Sequence, residues 1–339
     1  MPRLRFAFLK SILAAALTTL TLLGAGAAQA VSQGLSSAIY IRSFDDLFIS
    51  YFTSRLRRRI QQESQMQVEV IDAGGSREVQ LSQVATSTAA ILVVDTVNPA
   101  DAAKMVEDIR ARHATIVFFN QPPAREVIES YERAWYIGSH SVMAGKLQAE
   151  LVLDYLKNHQ YDRNGNHTLD IMLLRGPEGH QDAENRSSEV LRAFDDQGIK
   201  YQLIIDKRCQ WSFDMARDLM KEFITAGRFN ELDMIISNND DMALGAINAI
   251  ETSDDFKADR IDYLPAFGVD AVPEALNAIK YGSMTATVRQ DFAKMADVAY
   301  SICTGIVNLP DLARQHHMEI TDRFILVPYT KVSSSTLSP

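Results

Sequence analysis

The chain has 339 residues, a formal net charge of -9, 47% hydrophobic residues and only two cysteines, Cys209 and Cys303. That length is enough for two hydrophobic cores, and the acidic balance argues against nucleic acid as a partner. Two cysteines cannot build a disulfide framework, so both read as buried small apolar residues.

Residues 1–30 carry Arg3, Arg5 and Lys10, then an apolar run from Ser11 to Gly24, then Ala28-Gln29-Ala30. A basic start, a short apolar stretch and an A-x-A end make a secretory signal peptide with cleavage expected after Ala30. The run is short for a membrane span, so the mature chain is expected to be exported and soluble, and therefore periplasmic. Losing Arg3, Arg5 and Lys10 takes the net charge from -9 to -12.

From Ala38 onward, apolar runs alternate with amphipathic stretches. Strands are expected at Ala38–Arg42, Val68–Asp72, Ile91–Asp95, Thr115–Asn120 and Ala134–Ile137, with a helix such as Ala100–Arg112 between two of them. A second series follows at Leu169–Leu174, Tyr201–Ile205, Met234–Ser237, Leu264–Gly268 and Thr285–Arg289. Strand, helix, strand at this spacing means crossover connections and a mostly parallel sheet. Two series predict an α/β protein of two doubly wound lobes. A helix at Asp291–Ile306 and a strand at Arg323–Pro328 return to complete them, and a frayed polar tail runs from Ser333. No Pro/Gly linker separates the series, which argues for lobes joined by tight crossings.

The densest chemistry lies at Gly176-Pro177-Glu178-Gly179-His180-Gln181-Asp182-Ala183-Glu184-Asn185-Arg186. The apolar run Ile171–Leu174 precedes it, and a helix is expected to begin near Gln181, so the turn stands at a strand's carboxyl end, where open α/β sheets bind ligands. Asp182 and Arg186, four apart, share a helix face. Three readings compete: a surface ion pair at an ordinary connection, a metal or proton-relay site built on His180 and Asp182, or recognition of a polyhydroxylated ligand. In the last case carboxylate and guanidinium satisfy the two halves of each hydroxyl. Zinc would need at least a third protein ligand, and the sequence does not single one out.

Other strand ends carry similar residues: Asp45-Asp46-Leu47-Phe48, Phe119-Asn120-Gln121, Asn238-Asn239-Asp240, Val269-Asp270 and Arg289-Gln290-Asp291. Each is also an ordinary helix cap or turn. Their recurrence at one end of successive strands predicts a ring of amides and carboxylates around one cleft. Phe48 alone reads as core; Trp211 lies in a polar setting. Together two such rings could cover the apolar faces of a sugar.

These residues resemble the periplasmic glucose/galactose-binding proteins, sugar receptors of the type I periplasmic binding class. The resemblance runs from about Tyr40 to Val332 and is densest in VVDTVNPADAA, TIVFFN, LLRGPEGHQDAENR, IISNNDDMALGA, FGVDAVPEAL and FILVPY. It implies sugar contacts at Asp46, Phe48, Asn120, His180, Asp182, Arg186, Trp211, Asn239 and Asp270, with Phe48 and Trp211 sandwiching a pyranose. Gln290 stands where the family usually has Asn, Gln121 where Lys is common, and Leu47 where an Asn flanks the sandwich. The resemblance also implies lobes of residues 34–138 plus 292–325 and 139–291 plus 326–335, with residues 336–339 as tail. Cys209 and Cys303 then fall in different lobes as free thiols.

A second polar stretch, Asp162-Arg163-Asn164-Gly165-Asn166-His167-Thr168-Leu169-Asp170, places oxygen side chains at alternate positions, as a curled loop around a hard cation needs. On spacing alone it reads as a polar surface turn. The resemblance implies calcium held by Asp162, Asn164, Asn166 and Asp170, the carbonyl of Thr168, and remote Asp233. His167 takes the sharp-turn position usually given to Gly, and two ligands are neutral, which should weaken the site.

The expected function is an exported, monomeric receptor that closes around a hexose-like monosaccharide without altering it. It would deliver the sugar to the membrane permease of an ABC importer, or signal it to a chemoreceptor or a sensor kinase. A sugar hydrolase is the rival from another class. Arg186 beside Asp182 would keep that carboxylate ionised and unsuited to acid work. A sugar-responsive repressor would share the lobes, but there is no basic DNA-binding head.

Overall fold

The computed structural model describes residues 36–64, 66–305 and 309–337. The expected signal peptide lies outside these residues. Among the described residues there are thirteen strands: β1 (Ser36–Ile41), β2 (Gln67–Asp72), β3 (Ile91–Asp95), β4 (Thr115–Phe119), β5 (Ala134–Gly138), β6 (Leu169–Arg175), β7 (Tyr201–Arg208), β8 (Met234–Ser237), β9 (Ala266–Asp270), β10 (Ala286–Arg289), β11 (Glu319–Thr321), β12 (Phe324–Leu326) and β13 (Thr330–Ser333). The helices are α1 (Leu47–Arg59), α2 (Arg77–Thr86), α3 (Ala102–Arg110), α4 (Arg125–Glu129), α5 (Ser141–Asn158), α6 (Gln181–Asp196), α7 (Phe213–Thr225), α8 (Asp240–Thr252), α9 (Asp254–Lys257), α10 (Pro273–Tyr281), α11 (Phe292–Thr304) and α12 (Leu309–His316).

The strands form two sheets, ordered β11-β12-β5-β4-β3-β1-β2 and β13-β10-β9-β8-β6-β7. All pairings are parallel except β11 with β12 and β10 with β13. The chain passes between sheets three times, after β5, after β10 and after β12. The fold is therefore the two-lobed α/β arrangement expected from the alternating pattern. Helices cover both faces of each sheet, which is why central strands such as β3 are buried at every position while edge strand β2 alternates. In the first lobe one face packs Ile39, Val93, Phe119 and Phe52, and the other packs Tyr40, Leu92, Phe118 and Ile109. Each such side chain contributes about 1.5–3 kcal/mol of burial.

Three expectations at the chain's end need correction. The last stretch is not frayed from Ser333: β13 pairs with β10, the Thr336 Oγ accepts the Ser333 N–H at 2.8 Å, and Leu337 packs on the second lobe's core. A period-2 apolar signal is missing from Thr330–Ser333 because an edge strand of mostly backbone pairing needs few apolar residues. For the same reason β11 was not foreseen. The helix expected at Asp291–Ile306 stops at Thr304, where Gly305 takes the left-handed conformation at φ 65°. Elsewhere Ala100–Arg112 resolves into a single 3-10 turn, Pro99–Asp101, followed by α3. Cys209 and Cys303 are both buried and free, in the cores of different lobes.

Candidate functional site

Between the carboxyl ends of the two sheets lies a small cavity of about 20 Å³, lined by Arg42, Asp46, Phe48, Asn120, His180, Asp182, Arg186, Trp211, Asn239, Asp270 and Gln290. All ten residues singled out as ligand contacts in the sequence meet there, drawn from the ends of seven parallel strands and the turns that follow. The cleft adjoins the β1/β3 and β6/β8 boundaries, the points at which each strand order reverses.

The two readings of the strand-end polar residues are both correct at once for three of them. Asp46 caps α1 by accepting the Ile49 N–H at 3.3 Å, and its other oxygen is paired with Arg42. His180 caps α6, its Nδ1 accepting the Asp182 N–H at 3.3 Å. Asn239 caps α8 through the Met242 N–H at 3.1 Å. A cap uses one acceptor, which leaves the Asn239 amide to donate to the Trp211 carbonyl at 3.4 Å and His180 Nε2 buried with no protein partner.

Arg186 is the hub. Its guanidinium donates to the Asn238 carbonyl at 2.7 Å, to Gln290 Oε1 at 2.8 Å and to the Tyr329 hydroxyl at 3.2 Å. It stands 3.7 Å from Asp182 and 3.8 Å from Asp270. Asp182 and Arg186 are thus buried partners on the inner face of α6, which removes the surface ion-pair reading. Gln290 also donates to Asn120 Oδ1 at 3.4 Å, linking the second lobe's last parallel strand to the first lobe.

The aromatic residues are held from behind. Phe48 meets Phe292 edge-on at 6.5 Å. Trp211 meets the His180 ring edge-on at 5.0 Å and lies against Gly176, where a Cβ would fall 2.3 Å from the indole Cζ2. Three lining residues, Asn120, Trp211 and Asp270, have φ of 67°, 65° and 125°. Such backbone costs on the order of 1–3 kcal/mol each and clusters at sites whose surroundings hold it in place.

Burial sets the electrostatics. Desolvation lowers the His180 pKa to about 4 despite nearby Asp182. The ring is therefore neutral, and because Nδ1 accepts, Nε2 carries the proton. Desolvation raises Asp95 to about 7 against the pull of Arg42, and holds Asp270 well above the usual carboxylate range against that of Arg186. His180 Nε2, Arg186 Nε and Trp211 Nε1 are buried N–H groups with no protein acceptor.

Arg42 is the residue that sequence reasoning missed. It follows β1, lies 3.4 Å from Asp95 and is paired with Asp46. Its signal was its place, one residue past an apolar strand at the same edge as the others. Gln121, by contrast, donates to the Thr96 carbonyl at 3.1 Å and faces a larger outer chamber, and Leu47 donates its N–H to Asp241 of the other lobe at 2.9 Å.

The cation loop lies apart from the cleft, between α5 and β6. Asp162 accepts the N–H groups of Asn166 and His167 at 2.9 Å each, and Asp233 accepts those of Arg163 and Asp170 at 2.8 Å. Asn164 and Asn166 both donate to Asp170 Oδ2 at 2.7 Å, while buried Asp170 Oδ1 has no partner. Among the described residues no three His, Cys, Asp or Glu side chains converge as a metal centre, so any cation there needs the Asn oxygens as well.

Residues 48–308 match the family model described as "Periplasmic binding protein domain". The chain is 28% identical over 303 residues to the D-galactose/methyl-galactoside binding periplasmic protein MglB of Haemophilus influenzae, covering 88% of this chain and 89% of that protein. It is 25% identical over 316 residues to a putative rhizopine-binding protein of Rhizobium meliloti, covering 92% and 93%. Among solved structures, an ABC transporter solute binding protein of Bacillus halodurans with bound myo-inositol superposes with a TM-score of 0.68 at 22% identity, covering 89% of this chain and 96% of that one. With two lobes, a cleft between them and a family match over most of its length, the chain belongs to the periplasmic binding protein domain family and is a binding protein, not an enzyme.

Proposed function

We propose that the lobes part to admit one hexose-like monosaccharide of the glucose or galactose kind and close around it with the residues that line the inner cavity, and that the closed form hands it to the membrane permease of an ABC importer. The observation that supports this most is the set of buried N–H groups on His180, Arg186 and Trp211 without protein acceptors, set among the carboxylates of Asp46, Asp182 and Asp270 and the amides of Asn120 and Asn239. Fixed donors and acceptors in one small space match a ligand whose every hydroxyl both donates and accepts. Phe48 and Trp211 supply the apolar surface for ring C–H faces. The galactose-binding relative and the inositol-bound structure have ligands of this chemistry. Export by the N-terminal signal peptide belongs to the same reading.

A panel of hexoses, pentoses and myo-inositol in a thermal-shift assay tests it, since a ligand bound only by the folded protein raises the melting temperature. At least one hexose should raise it by several degrees, with a matching calorimetric isotherm. No shift with any member at millimolar concentration would remove the proposal.

For the loop at residues 162–170 the reading is weak calcium binding. The buried Asp170 oxygen without a protein partner and the carboxylates of Asp162 and Asp233 that hold the loop's backbone support it; Asp233 has its pKa raised by burial and by Asp170 and Asp162, although backbone N–H groups oppose the rise. Calcium would require Asn164 and Asn166 to turn their oxygens inward, which offsets part of the gain.

A further inference from the structure

Arg186 is held from two of the chain's crossings between the lobes. Gln290 follows β10 and Tyr329 lies between β12 and β13, and both side chains are buried against the guanidinium. The two N–H groups of Arg186 Nη2 meet two acceptors there, Gln290 Oε1 at 2.8 Å and the Tyr329 oxygen at 3.2 Å, while Nη1 donates to the Asn238 carbonyl at 2.7 Å. The Tyr329 hydroxyl gives its own proton to Gln290 Oε1 at 3.3 Å, which closes the three side chains into a ring of hydrogen bonds.

Tyr329 itself does not line the inner cavity, and its ring packs with Ala144, Val269 and Val288 in the second lobe. Burial raises its hydroxyl above the ordinary pKa against the pull of Arg186, so the proton stays available to Gln290 at neutral pH. A carboxamide whose oxygen takes two donors has its orientation settled. Gln290 Nε2 is thereby turned to the first lobe, where it donates to Asn120 Oδ1 at 3.4 Å. A guanidinium is planar and rigid, so anchors at Nη1 and Nη2 also fix the direction of Nε, a buried N–H with no protein acceptor.

We propose that Tyr329 is a positioning residue for the sugar site. Its hydroxyl locks Arg186 and Gln290 into one unit, through which the second lobe aims Arg186 Nε at a ligand hydroxyl and the Gln290 amide at Asn120. This rests on the proposed function and deepens it by naming what fixes one ligand contact and the lobe contact beside it. Phenylalanine would fill the same space but leave Gln290 Oε1 short of a donor and Arg186 Nη2 short of an acceptor, both in buried side chains.

Calorimetry on wild type and Tyr329→Phe, with glucose, galactose and their monodeoxy derivatives, tests it. The variant should bind the better of the two sugars about tenfold more weakly, the cost of leaving buried polar groups unpaired. For at least one derivative, the one lacking the hydroxyl that Nε meets, variant and wild type should agree within about twofold, because the loss acts through that contact. A purely structural role would weaken every derivative alike or lower only the melting temperature. Unchanged affinity for the parent sugar, or the same loss for every derivative, would overturn the inference while the sugar-receptor reading stands. If wild type binds none of these sugars, the proposed function falls and the inference with it.

Discussion

Trp211 shows how much of one residue's role is set by its neighbours. Its positive φ turns the chain so that the indole returns over Gly176, and its exposure of 6% places it in the core as well as in the site. Trp211→Ala should therefore weaken sugar binding by about 3 kcal/mol, more than a hundredfold, and also lower the melting temperature through lost packing. Calorimetry beside a melting curve reads both; wild-type affinity in a folded variant would take the ring out of the site. Gly176→Ala separates the two effects. The added methyl displaces the indole without deleting it, so affinity should drop by at least tenfold while the variant melts closer to wild type than Trp211→Ala does. Equal affinity for Gly176→Ala and wild type would mean that the position of the indole does not matter.

At the scale of the element, the repeated unit is strand, polar turn, capped helix. The cap fixes the turn with one acceptor, and the sheet places that turn at the cleft, so capping and ligand contact are satisfied by the same side chains at Asp46, His180 and Asn239. The loop from Asp162 to Asp170 is a different kind of element, closed by its own hydrogen bonds onto buried Asp170. Because calcium bound to the folded loop stabilises by mass action, the melting temperature should rise as calcium is titrated through the millimolar range typical of weak extracellular sites. Asp170→Asn should flatten that rise. Identical melting in calcium and in chelator, with no metal detected after calcium loading, would reduce the loop to a polar turn.

For the whole molecule, closure brings buried carboxylates together. Burial raises Asp95 and Asp240 to about 7 and Asp241 to about 8, the last being the acceptor for Leu47 across the lobes. A carboxyl whose pKa is higher folded than unfolded holds its proton more tightly when folded, so its contribution is greatest at low pH and is lost as pH rises toward the folded value. His180, lowered to about 4, works the other way between pH 4 and 6.5, where the unfolded ring takes a proton that the folded one refuses. Between about pH 6.5 and 8 only the carboxylates act, and the ligand-free melting temperature should fall across that window. Asp241→Asn, which keeps the acceptor oxygen, should reduce the slope; a profile that stays flat or rises in wild type would show these carboxyls to be ionised in the folded protein.

The local sequence was sufficient for everything that depends on short-range order. Apolar runs separated by capped helices specified the order of β1 to β10, because a parallel sheet covered on both faces needs continuous apolar strands and a crossover between each pair. The carboxyl-edge position of Asp46, Asn120, His180, Asn239 and Asp270 followed from that order. Tertiary structure alone decided what depends on the second lobe's approach. Arg42 became part of the site because the second lobe sets His180 and Asp182 on the other wall of the same cavity. Gln290 reached Asn120 because the carboxyl ends of the two sheets face each other, and β13 formed because β10 offered it a free edge. The outer chamber could not be read from spacing, since its walls come from turns as far apart as those at Arg42 and Trp211. A cavity is space that side chains leave between them, and its volume exists only once both lobes are in place.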